Sequence, residues 1–198
     1  MGLVDMAFFR SLSGAQENGK PMVVIFNPAD AVCSYKCVQL AADWNGMVYI
    51  RTMRPDTSLI YSPDETFEVG GCKILARGSD LLIVATGYMV HMARNILGEL
   101  ESQGINASLI DAYSLPINPE LILQAAKESG NKILTLEDNY IGALASGIAE
   151  IASETGSIKV RSLTVPVVPK SGRTPQELLV WCHLAPEDIL AAAKMLMQ

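Results

Sequence analysis

Short apolar runs separated by helical segments recur along this chain. That alternation limits its possible folds more than any other feature. Residues 22–26, 47–50, 73–77, 81–86, 107–111, 132–136 and 158–165 each read as a short strand, and most are apolar, several with a majority of branched side chains. Runs of this kind suit strands buried on both faces. Helical spacing and end signals predict helices over 31–44, 88–103, 119–129, 141–154, 174–181 and 186–196. Asn27 and Asp30 are N-cap candidates for the first, where Val32, Tyr35, Val38 and Ala42 fall at helical spacing. Met89, Met92, Ala93, Ile96 and Leu100 share one face of the second, which Gly104 closes. Pro119 suits a first helical turn. Thr174 and Glu177 have capping-box spacing. Strands alternating with helices of this length predict an α/β fold, a mostly parallel sheet with helices on both faces.

Residues 55–71 interrupt the alternation with Pro55, Pro63, Gly70 and Gly71. The break divides the chain unequally. Residues 61–198 read as a complete α/β domain. Residues 1–60 read as strand, helix, strand, a partial βαβ unit. A lone unit of this kind leaves open edges and an unfilled core. The first sixty residues are therefore expected to need a partner: another chain, or sequence absent from this one.

Composition narrows the class further. With 49% apolar residues the chain is not of the disordered type. Lys and Arg number 15 against 21 Asp and Glu, a net charge of −6 with no basic block, so general nucleic-acid binding is not expected. The longest stretch without a charged residue, 81–93, contains His91 and falls short of the ~20 residues that a membrane span needs. The first ten residues carry Asp5 and end in Arg10, unlike a secretory signal. The expected compartment is the cytoplasm. Cys33, Cys37, Cys72 and Cys182 fit that compartment as buried free thiols, and they lack the paired spacing of a zinc site.

No self-contained active site emerges from the motifs. His91 and His183 have no triad-like or metal-like neighbours in sequence and read as structural. Gly-x-Gly-x-x-Gly and the phosphate loop are both absent. Gly142 and Gly147 read as close helix packing. Two places stand out. Arg51 and Arg54 lie at the carboxyl end of the second strand, where ligands of parallel sheets sit. Guanidinium groups there suit a phosphate or carboxylate, or else an ion pair at a domain junction. Glu137, Asp138 and Tyr140 lie at another strand end, before a run of small residues. They suit catalysis, or helix capping at a domain or dimer interface, and the interface is favoured.

The ordered set of segments resembles the C-terminal portion of transketolase. Ile50-Arg-Thr-Met-Arg-Pro-Asp-Thr57 is similar to the end of that family's pyrimidine-binding domain. Ile60-Tyr-Ser-Pro-Asp-Glu65 and Phe67-Glu-Val-Gly70 are similar to the linker after it. Gly104-Ile-Asn-Ala-Ser-Leu-Ile-Asp111, Leu134-Thr-Leu-Glu-Asp-Asn-Tyr140 and the segment from Val168 to Leu179 are similar to parts of its third domain. Asp5-Met-Ala-Phe-Phe-Arg-Ser11 resembles the helix that enters this region. The likeness covers nearly the whole chain. It implies a thiamine diphosphate- and magnesium-dependent transfer of a two-carbon ketol unit between sugar phosphates. It further implies substrate-phosphate binding at Arg54, with Arg51 beside it, and a homodimer formed through the C-terminal domain.

The sequence also departs from the family pattern. The Gly-Asp-Gly diphosphate motif, the glutamate that activates the cofactor and the Gly-Glu-Asp-Gly-Pro-x-His stretch are not in this sequence, and are expected upstream of Met1. Residues 14–20 form an insertion before the first strand. The glycine pair expected after Glu-Asp-x-Tyr is only partly kept, as Ile141-Gly142-Ala143-Leu144. The chain is thus expected to be a segment or small subunit, inactive without the missing N-terminal domains or a large subunit. Two alternatives stay open. One is a non-catalytic dimerisation or regulatory module. The other is the matching part of a sister enzyme, 1-deoxyxylulose-5-phosphate synthase or a 2-oxo-acid dehydrogenase beta subunit.

Overall fold

Leu81–Ala85 is apolar at every position and buried at every position, which places it at the centre of a covered sheet. The computed structural model in which this is seen describes residues 2–12, 14, 16 and 18–198. Of the insertion at 14–20, Ala15 and Glu17 lie outside the described residues. In chain order the elements are α1 (Asp5–Ser11), β1 (Val23–Phe26), α2 (Ala31–Ala42), β2 (Met47–Ile50), β3 (Lys73–Ala76), β4 (Leu81–Ala85), α3 (Tyr88–Ser102), β5 (Ala107–Asp111), β6 (Ser114–Leu115), α4 (Pro119–Glu128), β7 (Lys132–Leu136), α5 (Leu144–Ser153), β8 (Lys159–Leu163), α6 (Pro175–Trp181) and α7 (Pro186–Met197).

The larger sheet has the order β3-β5-β4-β7-β8. Its β4, β5, β7 and β8 are parallel, and β3 runs antiparallel along β5. Leu81, Ile83 and Ala85 of β4 face one layer, with Met89, Ala93 and Ile96 of α3 and Ile189 and Ala193 of α7. Leu82 and Val84 face the other, with Ile122 and Ala126 of α4 and Leu144 and Ile148 of α5. Fully burying an aliphatic side chain of this size is worth about 1.5–3 kcal/mol, so the alternate faces of one strand hold both helical layers. This is the α/β arrangement that the sequence pattern predicts.

The smaller sheet has the order β2-β1-β6. β1 and β2 are parallel, with α2 as their crossover. The third strand, β6, comes from far beyond the 55–71 break and pairs antiparallel with β1. Val23 and Ile25 join the α4–α5 side of the larger core, together with Met6 of α1. Val24 and Phe26 point the other way, against Cys33 and Cys37 of α2 and against Tyr61 and Tyr113. The inward face of α2 is therefore Cys33 and Cys37, while Tyr35 and Val38 are exposed.

End signals act locally as expected, with one difference. Asp30 caps α2 by accepting from Cys33 N at 2.8 Å. Thr174 Oγ1 accepts from Glu177 N at 3.2 Å, but the Glu177 carboxylate reaches back to Arg173 N, one residue beyond the usual capping box. No helix among the described residues is long and apolar enough to cross a membrane.

Candidate functional site

The two sheets meet where the strands' carboxyl ends converge. Asn27, just after β1, donates its N–H to Tyr113 O at 2.9 Å and accepts from Gly87 N at 3.1 Å. Gly87 adopts φ +56°, and a Cβ there would stand 2.6 Å from Asn27 Oδ1. Only glycine allows this approach between the end of β4 and the end of β1. His91 of α3 lies 2.7 Å from Ala29 O through Nε2, so it ties the same two regions together. His183, the other histidine, is exposed and stands 3.8 Å from Asp188.

Around this seam the carboxylates gather. Asp30 Oδ2 accepts from the N–H groups of Ile60 and Tyr61 at 2.7 and 2.9 Å, which holds the 55–71 segment in place. The Tyr61 hydroxyl donates to Asp111 Oδ2 at 2.6 Å. Asp111 is fully buried at the end of β5, and burial pushes its carboxyl up to about 7. Burial and the Asp111 carboxylate together raise the Tyr61 phenol well above its ordinary range. The contact with Cys37, followed by burial, raises the Cys33 thiol strongly, so that thiol is not a nucleophile at neutral pH.

Arg51 and Arg54 occupy different settings. Arg51 is 3% exposed. Its Nη1 donates to Asp138 Oδ1 at 2.9 Å, and its Nε stands 3.6 Å from Asp5 Oδ2. Asp5 also accepts from the Tyr49 hydroxyl at 2.7 Å and from Asn139 Nδ2 at 3.1 Å. Arg51 thus joins β2, α1 and the end of β7 in one buried network. Arg54 is exposed and makes no hydrogen bond or ion pair among the described residues. Its guanidinium, four residues beyond the end of β2, can meet an anion from solvent.

Glu137 is fully buried at the end of β7. Its two carboxylate oxygens accept from Ala145 N at 2.9 Å and Leu144 N at 3.1 Å, and so cap α5. Burial raises its carboxyl to about 7, although the two helix N–H groups pull the other way. Asp138 next to it turns outward to Arg51. Tyr140 is half-buried and donates its backbone N–H to Leu3 O at 2.9 Å. Gly142 adopts φ +131° and faces Ala7 of α1.

Asp5, Tyr49 and Asp111 carry much of this geometry, and sequence reasoning did not single them out. Asp5 is 46 residues from Arg51 and 134 from Asn139. The one local signal, an acidic residue in the first turn of α1, indicates a helix start and no partner.

The Transketolase, C-terminal domain family matches residues 70–189. The chain belongs to this family. Mouse transketolase-like protein 2 is 36% identical over 198 residues, covering 98% of this chain and 30% of that protein. Rat transketolase is 33% identical over 198 residues, with the same coverage of each. The chain therefore spans about a third of the length of these curated relatives. A solved structure described as a split gene transketolase, inactive beta4 tetramer, superposes over 100% of this chain and 62% of its own, at a TM-score of 0.88 and 34% identity. The strand order and covering helices of this transketolase-family chain thus have a solved counterpart along their whole length.

Proposed function

We propose that this chain is the C-terminal segment or small subunit of a thiamine diphosphate-dependent transketolase that moves a two-carbon ketol unit between sugar phosphates. Residues 1–60 would be the end of a pyrimidine-binding-type domain, and residues 61–198 its C-terminal domain. The observation that carries the reading is the likeness of the entire chain, at 34% identity, to a split gene transketolase. Free Arg54 beyond β2 is consistent with it. Its planar guanidinium stays charged and can hold two phosphate oxygens at once. Arg51, buried against carboxylates, would support that loop. Glu137, Asp138 and Tyr140 would serve the domain or dimer interface.

Thiamine diphosphate would supply the electron sink for ketol transfer, and its metal ion would offset the diphosphate charge. This chain's residues do not fit that group. Among the described residues, no three His, Cys, Asp or Glu side chains gather as metal ligands, and the sequence lacks the diphosphate motif. The cofactor and Mg would therefore be held by other transketolase domains or by a large subunit. This chain would act on the sugar phosphate by binding its phosphate and orienting the acceptor. The free thiols suit a reducing compartment such as the cytoplasm.

A second reading follows from the neighbour's description as an inactive beta4 tetramer. Without its complementary part, this chain would self-associate into an inactive homo-oligomer. One experiment tests both readings. The chain is combined with separately expressed upstream transketolase domains, thiamine diphosphate and Mg, and ketol transfer is measured alongside the mass of the complex. Activity that appears only in the mixture supports the first reading. Absence of any complex, with the chain remaining self-associated, favours the second.

A further inference from the structure

We propose that Asp138 is a positioning residue for Arg54, acting through Arg51. The inference rests on the reading of Arg54 as the phosphate-binding group. Residues 52–59 form a loop between two fixed ends. At one end, Arg51 N donates to Phe26 O at 2.8 Å and Arg51 Nη1 donates to Asp138 Oδ1 at 2.9 Å. At the other, Asp30 Oδ2 holds the N–H groups of Ile60 and Tyr61. Between these ends, residues 52–59 make no hydrogen bond among the described residues. The direction in which Arg54 leaves β2 is therefore set by its anchors.

Asp138 is the principal anchor on the Arg51 side chain. Asp5 is farther away, at 3.6 Å, and Arg51 Nε and Nη2 have no hydrogen-bond partner among the described residues. Removing the Asp138 charge leaves a buried guanidinium poorly compensated, and such a group turns toward whatever acceptor or water it can reach. Three residues of chain span up to ~10 Å, so a turn at Arg51 is carried directly into the Arg54 guanidinium. A small misplacement of a substrate-positioning group is enough to reduce rate or affinity. Asp138 is carried by β7 of the larger sheet. By this route the C-terminal unit would act on a phosphate site built from the smaller one.

The test uses the chain assembled with the upstream transketolase domains and compares an aldose phosphate acceptor with the same aldose lacking phosphate. Asp138→Asn is expected to raise KM for the phosphorylated acceptor about fivefold, an ordinary coupling for residues in one network, with little change in kcat. Asp138→Glu should recover part of that loss. In an Arg54→Ala background, Asp138→Asn should add nothing. An equal loss with both acceptors, or the same added loss in the Arg54→Ala background, overturns the proposal. If Asp138→Asn does not fold, as judged by its melting curve, Arg51→Lys replaces it and should show a smaller rise in KM confined to the phosphorylated acceptor. Arg54→Ala distinguishes the two levels. If it discriminates between the acceptors and Asp138→Asn does not, the positioning role alone fails. If Arg54→Ala does not discriminate, the phosphate-site reading fails and this inference falls with it.

Discussion

The Tyr61 hydroxyl donates a 2.6 Å hydrogen bond to Asp111, a fully buried carboxylate whose other oxygen has no partner among the described residues. Tyr61 belongs to the segment that leaves the smaller sheet, and Asp111 ends β5 of the larger one. Tyr61→Phe keeps the ring packed against Phe67 and removes only the donor. It leaves a buried carboxyl without its hydrogen bond and should cost about 1–3 kcal/mol, read from urea midpoints.

The same carboxyl makes stability depend on pH. Burial raises Asp111 to about 7, from the 3.8 of an ordinary aspartate. In this window the folded state binds more protons than the unfolded state, so the Asp111 contribution falls as pH rises from about 4 to 7 and is level above that. Asp111→Asn removes the titration and keeps an acceptor for Tyr61. The variant should therefore gain stability relative to the parent as pH rises through that window. Parallel stability curves for the two proteins between pH 4 and 7 would contradict this assignment.

Glu137 fixes where α5 begins. Helical spacing predicts a start at residue 141, yet the helix starts at Leu144 because Glu137 takes the N–H groups of Leu144 and Ala145. Glu137→Ala leaves both N–H groups buried and unpaired and should cost about 2–4 kcal/mol. Glu137→Gln keeps one acceptor and should fall between that variant and the parent. Thermal or urea unfolding orders the three.

Asp30 holds two elements with one side chain. Asp30→Ala removes the α2 cap and the one carboxylate oxygen that accepts from both the Ile60 and Tyr61 amides. A stability loss of about 2–4 kcal/mol is expected. Hydrogen exchange should quicken at Ile60 and Tyr61 before it does in β4. Unchanged protection at those two amides would show that other contacts hold the segment.

These contacts also explain which features were legible in advance. The larger sheet was, because most of its strands are local apolar runs, and its helices carry their own faces and end signals. β6 was not. Ser114 and Leu115 are two ordinary residues whose strand character comes from pairing with β1, about 90 residues earlier. The inward face of α2 was also hidden. Cys33 and Cys37 compete there with Tyr35 and Val38, and the choice depends on Phe26, Tyr61 and Tyr113 packing from other elements. Arg51 and Arg54 look alike in sequence. They separate only when Asp5, from 46 residues before Arg51, and Asp138, from 87 residues after it, take one of them.

The contact between Gly142 and Ala7 tests how α1 is held. Gly142 adopts φ +131°, and a Cβ built there would lie 2.6 Å from the Ala7 Cβ. Gly142→Ala therefore faces two separate penalties, a backbone conformation that L-residues rarely adopt and a steric overlap with α1. Together they should destabilise the fold by about 1–3 kcal/mol. Ala7→Gly in the same chain removes the overlap and leaves the backbone penalty, while adding the small helix cost of glycine. If the overlap dominates, the double variant recovers much of the loss, and α1 regains its protection from hydrogen exchange. If the backbone penalty dominates, the two losses add. The double-mutant cycle thus measures how far the seating of Asp5, and through it Arg51, depends on the absence of a side chain at residue 142.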